Sequence, residues 1–189
     1  VIGVNGAGKS TLLRAVARVL NPAEGRIVIR GTVAPMLELG SGFHSELTGR
    51  ENVFLYGALL GYTRQQMEAS FASILEFSGL EEFIDAPLRT YSTGMVARLG
   101  FAVATARFAD IFLVDEVLSV GDAAFQRKCI ERIEGYREQG ATILFVSHSI
   151  DTVKEVCQDA LWLDKGRVVK AGPAGEVGAA YMERLGGGD

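Results

Sequence analysis

The stretch Gly3-Val4-Asn5-Gly6-Ala7-Gly8-Lys9-Ser10 leaves this chain few ways to fold. It satisfies G-x-x-x-x-G-K-[ST] at every fixed position, and the pattern has a mechanical meaning. Glycines let backbone N–H groups curl around an anion, and the helix that begins at the lysine aims its positive end at the same place. The device requires a buried strand running into the loop and a helix leaving it. Val1-Ile2-Gly3-Val4 reads as the end of such a strand. Leu12, Leu13, Val16, Val19 and Leu20 keep helical spacing from Lys9 to about Leu20, where Asn21-Pro22 stops the helix. Gly3, Asn5, Gly6, Ala7, Gly8, Lys9, Ser10 and Thr11 are therefore candidate polyphosphate contacts, with Lys9 reaching β and γ oxygens and the Ser10 hydroxyl suited to Mg²⁺. Kinases, GTPases, helicases and transport motors share this loop, so it indicates nucleotide binding without choosing a reaction.

The remaining pattern is that of an α/β fold with a mostly parallel sheet flanked by helices. DIFLVDE (110–116) and ATILFVS (141–147) are near-continuous apolar runs, as in strands covered on both faces, and each precedes a helix, opened near Asp122 and Ser149. ALWLDKGRVVKAG (160–172) reads as a hairpin turning at Asp164-Lys165-Gly166, and a last helix runs from Pro173 to Leu185. The β-rich run from Arg26 to Glu38, with Gly31 inside it, predicts two short strands joined by a turn. Between these parts, Thr48/Glu51 and Thr63/Gln66 have capping-box spacing ahead of apolar helical runs, and another helix follows Ser92 to about Arg107. The segment from about 42 to 107 is thus expected to be a helical insertion within one domain spanning 1–189.

At 189 residues the chain suits one well-buried core. Hydrophobic residues make up 48%, yet the longest apolar runs are strand-sized and too short to cross a bilayer. The 19 Lys and Arg against 23 Asp and Glu give a net charge of −4, and no basic cluster exceeds Arg127-Lys128, so no nucleic-acid partner is expected. Cys129 and Cys157 have neither metal spacing nor a secretory signal and read as reduced packing residues in a cytosolic protein.

Asp115-Glu116 ends the first of the two apolar strands. Neighbouring residues at a strand end point different ways, so Asp115 suits Mg²⁺ and Glu116 the water that attacks a γ-phosphate, although an acidic pair also suits a helix start. Tyr91-Ser92-Thr93-Gly94-Met95 opens a helix before this strand, Ser119-Val120-Gly121-Asp122 follows it, and His148 ends the next strand. In that order, these segments resemble the ATP-binding-cassette family of P-loop NTPases. Its usual signature is Leu-Ser-Gly-Gly-Gln; Ser92 and Gly94 keep their types while Tyr91, Thr93 and Met95 depart from it. A hydroxyl cap beside a bare backbone still suits close approach to a γ-phosphate.

The resemblance implies ATP and Mg²⁺ as ligands, Glu116 and His148 as catalytic residues, and Ser10 and Asp115 as metal ligands. It also implies a head-to-tail homodimer in which Ser92, Thr93 and Gly94 cover the nucleotide held by the partner's loop, with Ser119 and Asp122 on the interface. The family's Gln that senses Mg²⁺ would be represented by Glu38, an oxygen donor, or by Leu39. LELGSGFHSELTGRENVFLYGALLG (37–61), TYSTGMVARLGFAVAT (90–105) and DEVLSVGDAAFQRKC (115–129) are more specifically similar to ATPase subunits of exporters for O-antigen, capsule and wall teichoic acid. That similarity implies a peripheral subunit on the cytoplasmic face of the bacterial inner membrane. Gly42–Gly61 would receive a helix of an integral membrane permease, with Phe43, Leu47, Phe54 and Tyr56 as apolar surface and Arg50 and Glu51 as rim. The alternative is a cassette ATPase acting on DNA or ribosomes, whose long coiled coil or basic surface is not found here; loss of hydrolysis is disfavoured by Glu116 and His148.

The family also places a small antiparallel sheet before the loop, with an aromatic residue that stacks on adenine, and Val1 reads as a cut end. Forgoing one stacking contact costs on the order of 1–3 kcal/mol. The chain is accordingly expected to bind ATP weakly and with little preference over GTP, and to expose an aggregation-prone sheet edge. Titration of both nucleotides checks this, and tight, adenine-selective binding would overturn it.

Overall fold

A strand buried on both faces has to be apolar at every position, and Ile111–Asp115 (β2) meets that demand: Phe112, Leu113 and Val114 are all fully buried. Its side chains alternate between two cores. Phe112 and Val114 join the main cluster, while Leu113 joins a smaller one with Ala7, Leu13, Val146 and Leu163. In the computed structural model, which describes residues 1–37, 39–115, 121–147 and 149–186, β2 is the middle of a three-stranded parallel sheet. Val33–Met36 (β1) pairs along one edge, with Val33 opposite Ile111, and Thr142–Val146 (β3) along the other, with Asp115 opposite Val146.

Residues 1–3 extend this sheet beyond β3. The Val1 nitrogen donates to Phe145 O, Ile2 N–H donates to Leu161 O at 2.8 Å, and Leu163 N–H returns to Ile2 O at 2.9 Å. Leu161 and Leu163 belong to Asp159–Asp164 (β4), which pairs antiparallel with Arg167–Pro173 (β5). The short segment before the loop therefore lies between β3 and the hairpin and joins the two sheets.

Lys9–Val16 (α1) packs over the smaller cluster through Leu13. Between β1 and β2 come Gly49–Leu59 (α2), Arg64–Ser78 (α3) and Thr93–Ala104 (α4), with 3-10 turns at Glu81–Phe83 and Leu88–Thr90. Ala123–Glu138 (α5) links β2 to β3, Ile150–Val156 (α6) precedes β4, and Ala174–Gly186 (α7) follows β5. Both capping boxes form: Glu51 N–H donates to Thr48 Oγ1 at 3.2 Å and Thr48 N–H to Glu51 at 2.8 Å, and Thr63 and Gln66 repeat the exchange. Aromatic pairs fasten the helices together, with Phe54 stacked on Phe71 and Phe77 on Phe101 at 5.8 and 5.7 Å.

Three expectations are corrected. Only one strand, β1, forms between Arg26 and Leu37; Ile27-Val28-Ile29 has β propensity but no ladder partner among the described residues, and Val28 is 67% exposed. The turn into β1 is set instead by Asp110, whose Oδ2 accepts both the N–H and the hydroxyl of Thr32 at 2.7 Å. Helix α1 stops at Val16, four residues early, because Val19 and Leu20 find nothing to pack on and Arg18 takes a left-handed turn. Helix α4 ends at Ala104, and the Thr105 hydroxyl folds back to Phe101 O. The hairpin turn and the helix from Thr63 to Ser78 agree with expectation; Cys129 is buried in the main core and Cys157 packs against it.

Asn52 is a fully buried polar side chain that organises the loop ahead of α2. Its Nδ2 donates to His44 O, Leu47 O and Thr48 O at 3.0, 3.2 and 2.9 Å, and its Oδ1 accepts from His44 N–H at 2.7 Å. Asn52→Leu removes the partner of the His44 N–H and carbonyl, while Leu47 O and Thr48 O keep the N–H groups of Leu88 and of residue 52, and is expected to lower unfolding stability by about 2 kcal/mol. Urea denaturation measures it, and an unchanged midpoint would show that the loop finds other partners.

Candidate functional site

The loop begins where the backbone of residue 3 presses against β4. A Cβ at Gly3 would lie 2.3 Å from Leu163 O, and φ there is 152°, so only glycine fits. From there the chain makes a turn, with Ala7 N–H bonded to Val4 O at 3.1 Å, and enters α1 through Gly8 at φ 104°. The hairpin braces the loop from behind: Gly166 N–H, in the β4–β5 turn, donates to Ala7 O at 2.9 Å. Lys9 is buried, and its Nζ donates to Gly3 O at 2.8 Å and Val4 O at 3.1 Å, tying the helix start to the strand end.

The start of α1 differs from those of the next five helices. Thr48, Thr63, Ser92, Asp122 and Ser149 each accept an N–H of their own helix, at α2, α3, α4, α5 and α6 respectively. Helix α1 begins on Gly8 with no side-chain cap and no acidic residue in its first turn. Its leading N–H groups and the positive end of its dipole are left for an external anion.

Asn5, Gly6, Gly8, Lys9, Ser10, Thr11 and Asp115 line one cavity of about 430 Å³. Six of them come from the loop and α1; Asp115 arrives from the end of β2. Gly3 and Ala7 shape the loop from behind, the Ala7 side chain being buried. The cavity carries a cation, a hydroxyl pair and a carboxylate around uncapped helix donors. Such a set suits polyphosphate together with a hard divalent ion.

Ser92 caps α4 by accepting Met95 N–H at 3.2 Å, and Ser92 and Thr93 are exposed. A hydroxyl used in this way still has its own proton to donate. An added Cβ at Gly94 meets only Ser92 Oγ, at 3.8 Å, so the approach to this helix start is open. None of Ser92, Thr93 and Gly94 lines the cavity of the same chain. Glu38, Glu116, Ser119 and His148 lie outside the described residues. Leu39, the other candidate for the Gln position, packs against the main core.

Other positions depart from a simple motif reading. Asp122 caps α5 by accepting Phe125 N–H at 2.9 Å and also pairs with Arg98; the Phe125 bond and the guanidinium hold its carboxyl below the ordinary aspartate range. Among the residues assigned to an apolar groove, Phe43, Leu47 and Phe54 are half-buried, but Tyr56 is 4% exposed and meets Phe43 edge-on at 5.0 Å, so it belongs to the core. His44 is an exposed loop residue whose Nδ1 accepts Glu46 N–H at 3.3 Å. The brace from Gly166 has no counterpart in the sequence reading, because the hairpin turn is readable locally and its contact with the loop is not.

Residues 1–119 match the pattern of the ABC transporter family. The chain is 48% identical over 185 residues to the O-antigen export system ATP-binding protein RfbB of Klebsiella pneumoniae, covering 98% of this chain and 75% of that protein. It is 47% identical to the ABC transporter protein AbcA of Aeromonas salmonicida, with 98% and 60% covered. It is 41% identical to the teichoic acids export ATP-binding protein TagH of Bacillus cereus, of which it spans 34% while 98% of this chain is covered. Among solved structures, an ATP-binding subunit of an ABC transporter superimposes with a TM-score of 0.83 at 24% identity, over 97% of this chain and 81% of that one. An ATP-binding cassette solved as a dimer with ADP and Pi superimposes at 0.76 and 22%, over 92% and 83%. At these identities the two structures show the fold.

The contact of residue 3 with β4 yields a direct test. Gly3→Ala forces either β4 or the loop to move and is expected to cost about 2 kcal/mol or more. Thermal unfolding and nucleotide titration should fall together; a variant with unchanged stability would show that Leu163 yields freely.

Proposed function

Because this chain belongs to the ABC transporter family, we propose that it is the ATP-hydrolysing subunit of an exporter that moves a lipid-linked surface polysaccharide or polyol phosphate across the cytoplasmic membrane. The observation that carries the reading is the cavity in which an uncapped helix start, Lys9, Ser10 and Asp115 converge. Identities above 40% to proteins named for O-antigen and teichoic acid export support the choice of cargo class.

In this reading, loop N–H groups and the α1 dipole hold the phosphates of ATP, and the Lys9 ammonium turns from its loop carbonyls to the β and γ oxygens. Ser10 and Asp115 are hard oxygen donors lining one cavity, which fits Mg²⁺, an ion commonly held by one or two side chains plus phosphate oxygens. Glu38 is a further proposed ligand. Bound there, the ion supplies neutralisation of the charge that develops on the terminal phosphoryl group. Glu116 orients and activates the attacking water, and His148 holds it against the γ-phosphate.

Ser92, Thr93 and Gly94 serve the second copy of the chain. Their exposed helix start lies outside the cavity of their own chain, as a head-to-tail dimer enclosing two ATP requires. The whole of 1–189 acts as one ATPase domain, with the helical part at about 42–107 turned toward an integral permease. Gly42–Gly61 receives a permease helix against Phe43, Leu47 and Phe54, with Arg50 and Glu51 at the rim. No helix among the described residues is long and apolar enough to cross a membrane, which suits a peripheral subunit on the cytoplasmic face.

Two substitutions in the intact protein test the reading. Lys9→Ala should remove ATP binding and turnover together. Glu116→Gln should retain binding while slowing hydrolysis by about 10²-fold or more and trapping an ATP-bound dimer visible by light scattering. Wild-type turnover in the Lys9 variant would dismiss the loop as the nucleotide site, and wild-type turnover in the Glu116 variant would remove that residue from its role.

A further inference from the structure

The residue just before the α4 cap is a tyrosine where the usual signature has leucine, and its hydroxyl is used on a distant backbone group. Tyr91 Oη donates to Phe83 O at 2.6 Å, reaching from the start of α4 back to the 3-10 turn that follows α3. That carbonyl also accepts Ala86 N–H at 2.9 Å, so both of its lone pairs are engaged. The phenol gets there by lying over the first residue of α2. A Cβ at Gly49 would stand 2.2 Å from the Tyr91 hydroxyl and 3.0 Å from Ile84 O, so glycine leaves the room this bond needs. Burial, and after it the Asp85 carboxylate, push the phenol pKa up and keep its proton available to donate. Leucine at this place offers no such bond.

The base that Tyr91 grips is itself fixed. Residues 84–89 run antiparallel beside 45–50, with Arg50 N–H bonded to Ile84 O at 2.8 Å, Gly49 N–H to Ala86 O at 3.1 Å and Leu88 N–H to Leu47 O at 2.8 Å. The Arg50 guanidinium forks onto Asp85 at 2.7 and 3.1 Å. Beyond Tyr91 the situation reverses. Ser92 and Thr93 are exposed, Ser92 Oγ accepts only from its own helix, and the fully buried residues of α4, 99–104, lie past its middle. Packing therefore holds the far end of α4, and the Tyr91 hydroxyl ties the near end to the base.

We propose that Tyr91 is a positioning residue, whose hydroxyl sets where Ser92, Thr93 and Gly94 stand when they meet the nucleotide of the second copy. The inference rests on the proposed head-to-tail dimer. Tyr91 touches no nucleotide and acts through the helix start that follows it. A displacement of about 1 Å in groups that face reacting atoms can slow a reaction about 10²-fold, so a single hydrogen bond at this place can govern turnover.

Tyr91→Phe keeps the ring and removes only the hydroxyl. In the intact protein it is expected to lower the thermal midpoint by about 2–4 °C. Hydrolysis at saturating ATP, measured well below that midpoint, should fall about tenfold, while nucleotide affinity stays within about twofold because the variant's own loop is untouched. In the Glu116→Gln background, Tyr91→Phe should raise the ATP concentration that half-assembles the dimer about tenfold. Gly49→Ala pushes the hydroxyl off Phe83 O from the other side. It should reproduce these losses alone, and change turnover by no more than about twofold when Tyr91→Phe is already present. Turnover and assembly of Tyr91→Phe within about twofold of the wild type overturn the proposal even where the midpoint falls, because the bond then serves stability alone. An equal loss of nucleotide affinity overturns it by placing the defect in the variant's own loop, as do additive losses in the double variant. A wild type that neither hydrolyses ATP nor dimerises with it removes the functional reading and this role together, whereas an active wild type with unaffected variants removes the role of Tyr91 alone.

Discussion

Everything at the nucleotide end of this molecule depends on residues 1–3 being gripped from both sides. Val1 bonds to β3 and Ile2 exchanges two hydrogen bonds with β4, so the loop leaves a strand that cannot tilt without disturbing both sheets. Gly3 brings the backbone hard against Leu163 O, and Gly166 holds Ala7 from the hairpin turn. A flexible glycine-rich segment becomes a fixed cradle through these backbone contacts. Its own side chains add little rigidity, apart from the Lys9 bridge to Gly3 and Val4. The ordering entropy of the loop is therefore met during folding, and a bound anion meets donors already aimed at it.

The way the helices begin separates structural from ligand-binding roles. Side chains at Thr48, Thr63, Ser92, Asp122 and Ser149 satisfy the first turns of α2 to α6, whereas α1 has nothing of the kind. Leaving such a start uncapped costs about 1 kcal/mol in an ordinary helix. Here the unsatisfied donors face the cavity that also holds Ser10 and Asp115. Ser92 has an intermediate character, because its hydroxyl caps α4 and yet remains exposed with a proton to donate.

How much could be read from sequence depends on the range of the interaction. The capping boxes at Thr48 and Thr63, the turn at Asp164-Lys165-Gly166 and the doubly buried run of β2 follow from a few adjacent residues and appear as expected. By contrast, β3 pairs as expected but is buried only at Phe145 and Val146, with Thr142 exposed and Ile143 and Leu144 half-buried. Ile27-Val28-Ile29 misleads because strand propensity acts only where a partner strand exists. The early end of α1 has a similar cause: Val19 and Leu20 continue the helical spacing, but tertiary packing does not reach them. Within the site, the loop and Asp115 are legible as motif residues and converge on one cavity. The brace from Gly166, the network around Asn52 and the grip of Arg98 on Asp122 join partners whose spacing carries no local signal.

The position of residues 1–3 between β3 and β4 also dictates an order of assembly. On the ribosome the cradle is made long before Leu161 and Leu163, the residues that clamp it, have been synthesised. Until that late hairpin emerges, Ile2 has no partner on one side, and the helices between β1 and β2 can pack before the anion site exists. High contact order of this kind slows folding and leaves early segments waiting. Competence for nucleotide thus requires the docked hairpin, and the loop made first waits for a contact made after β3.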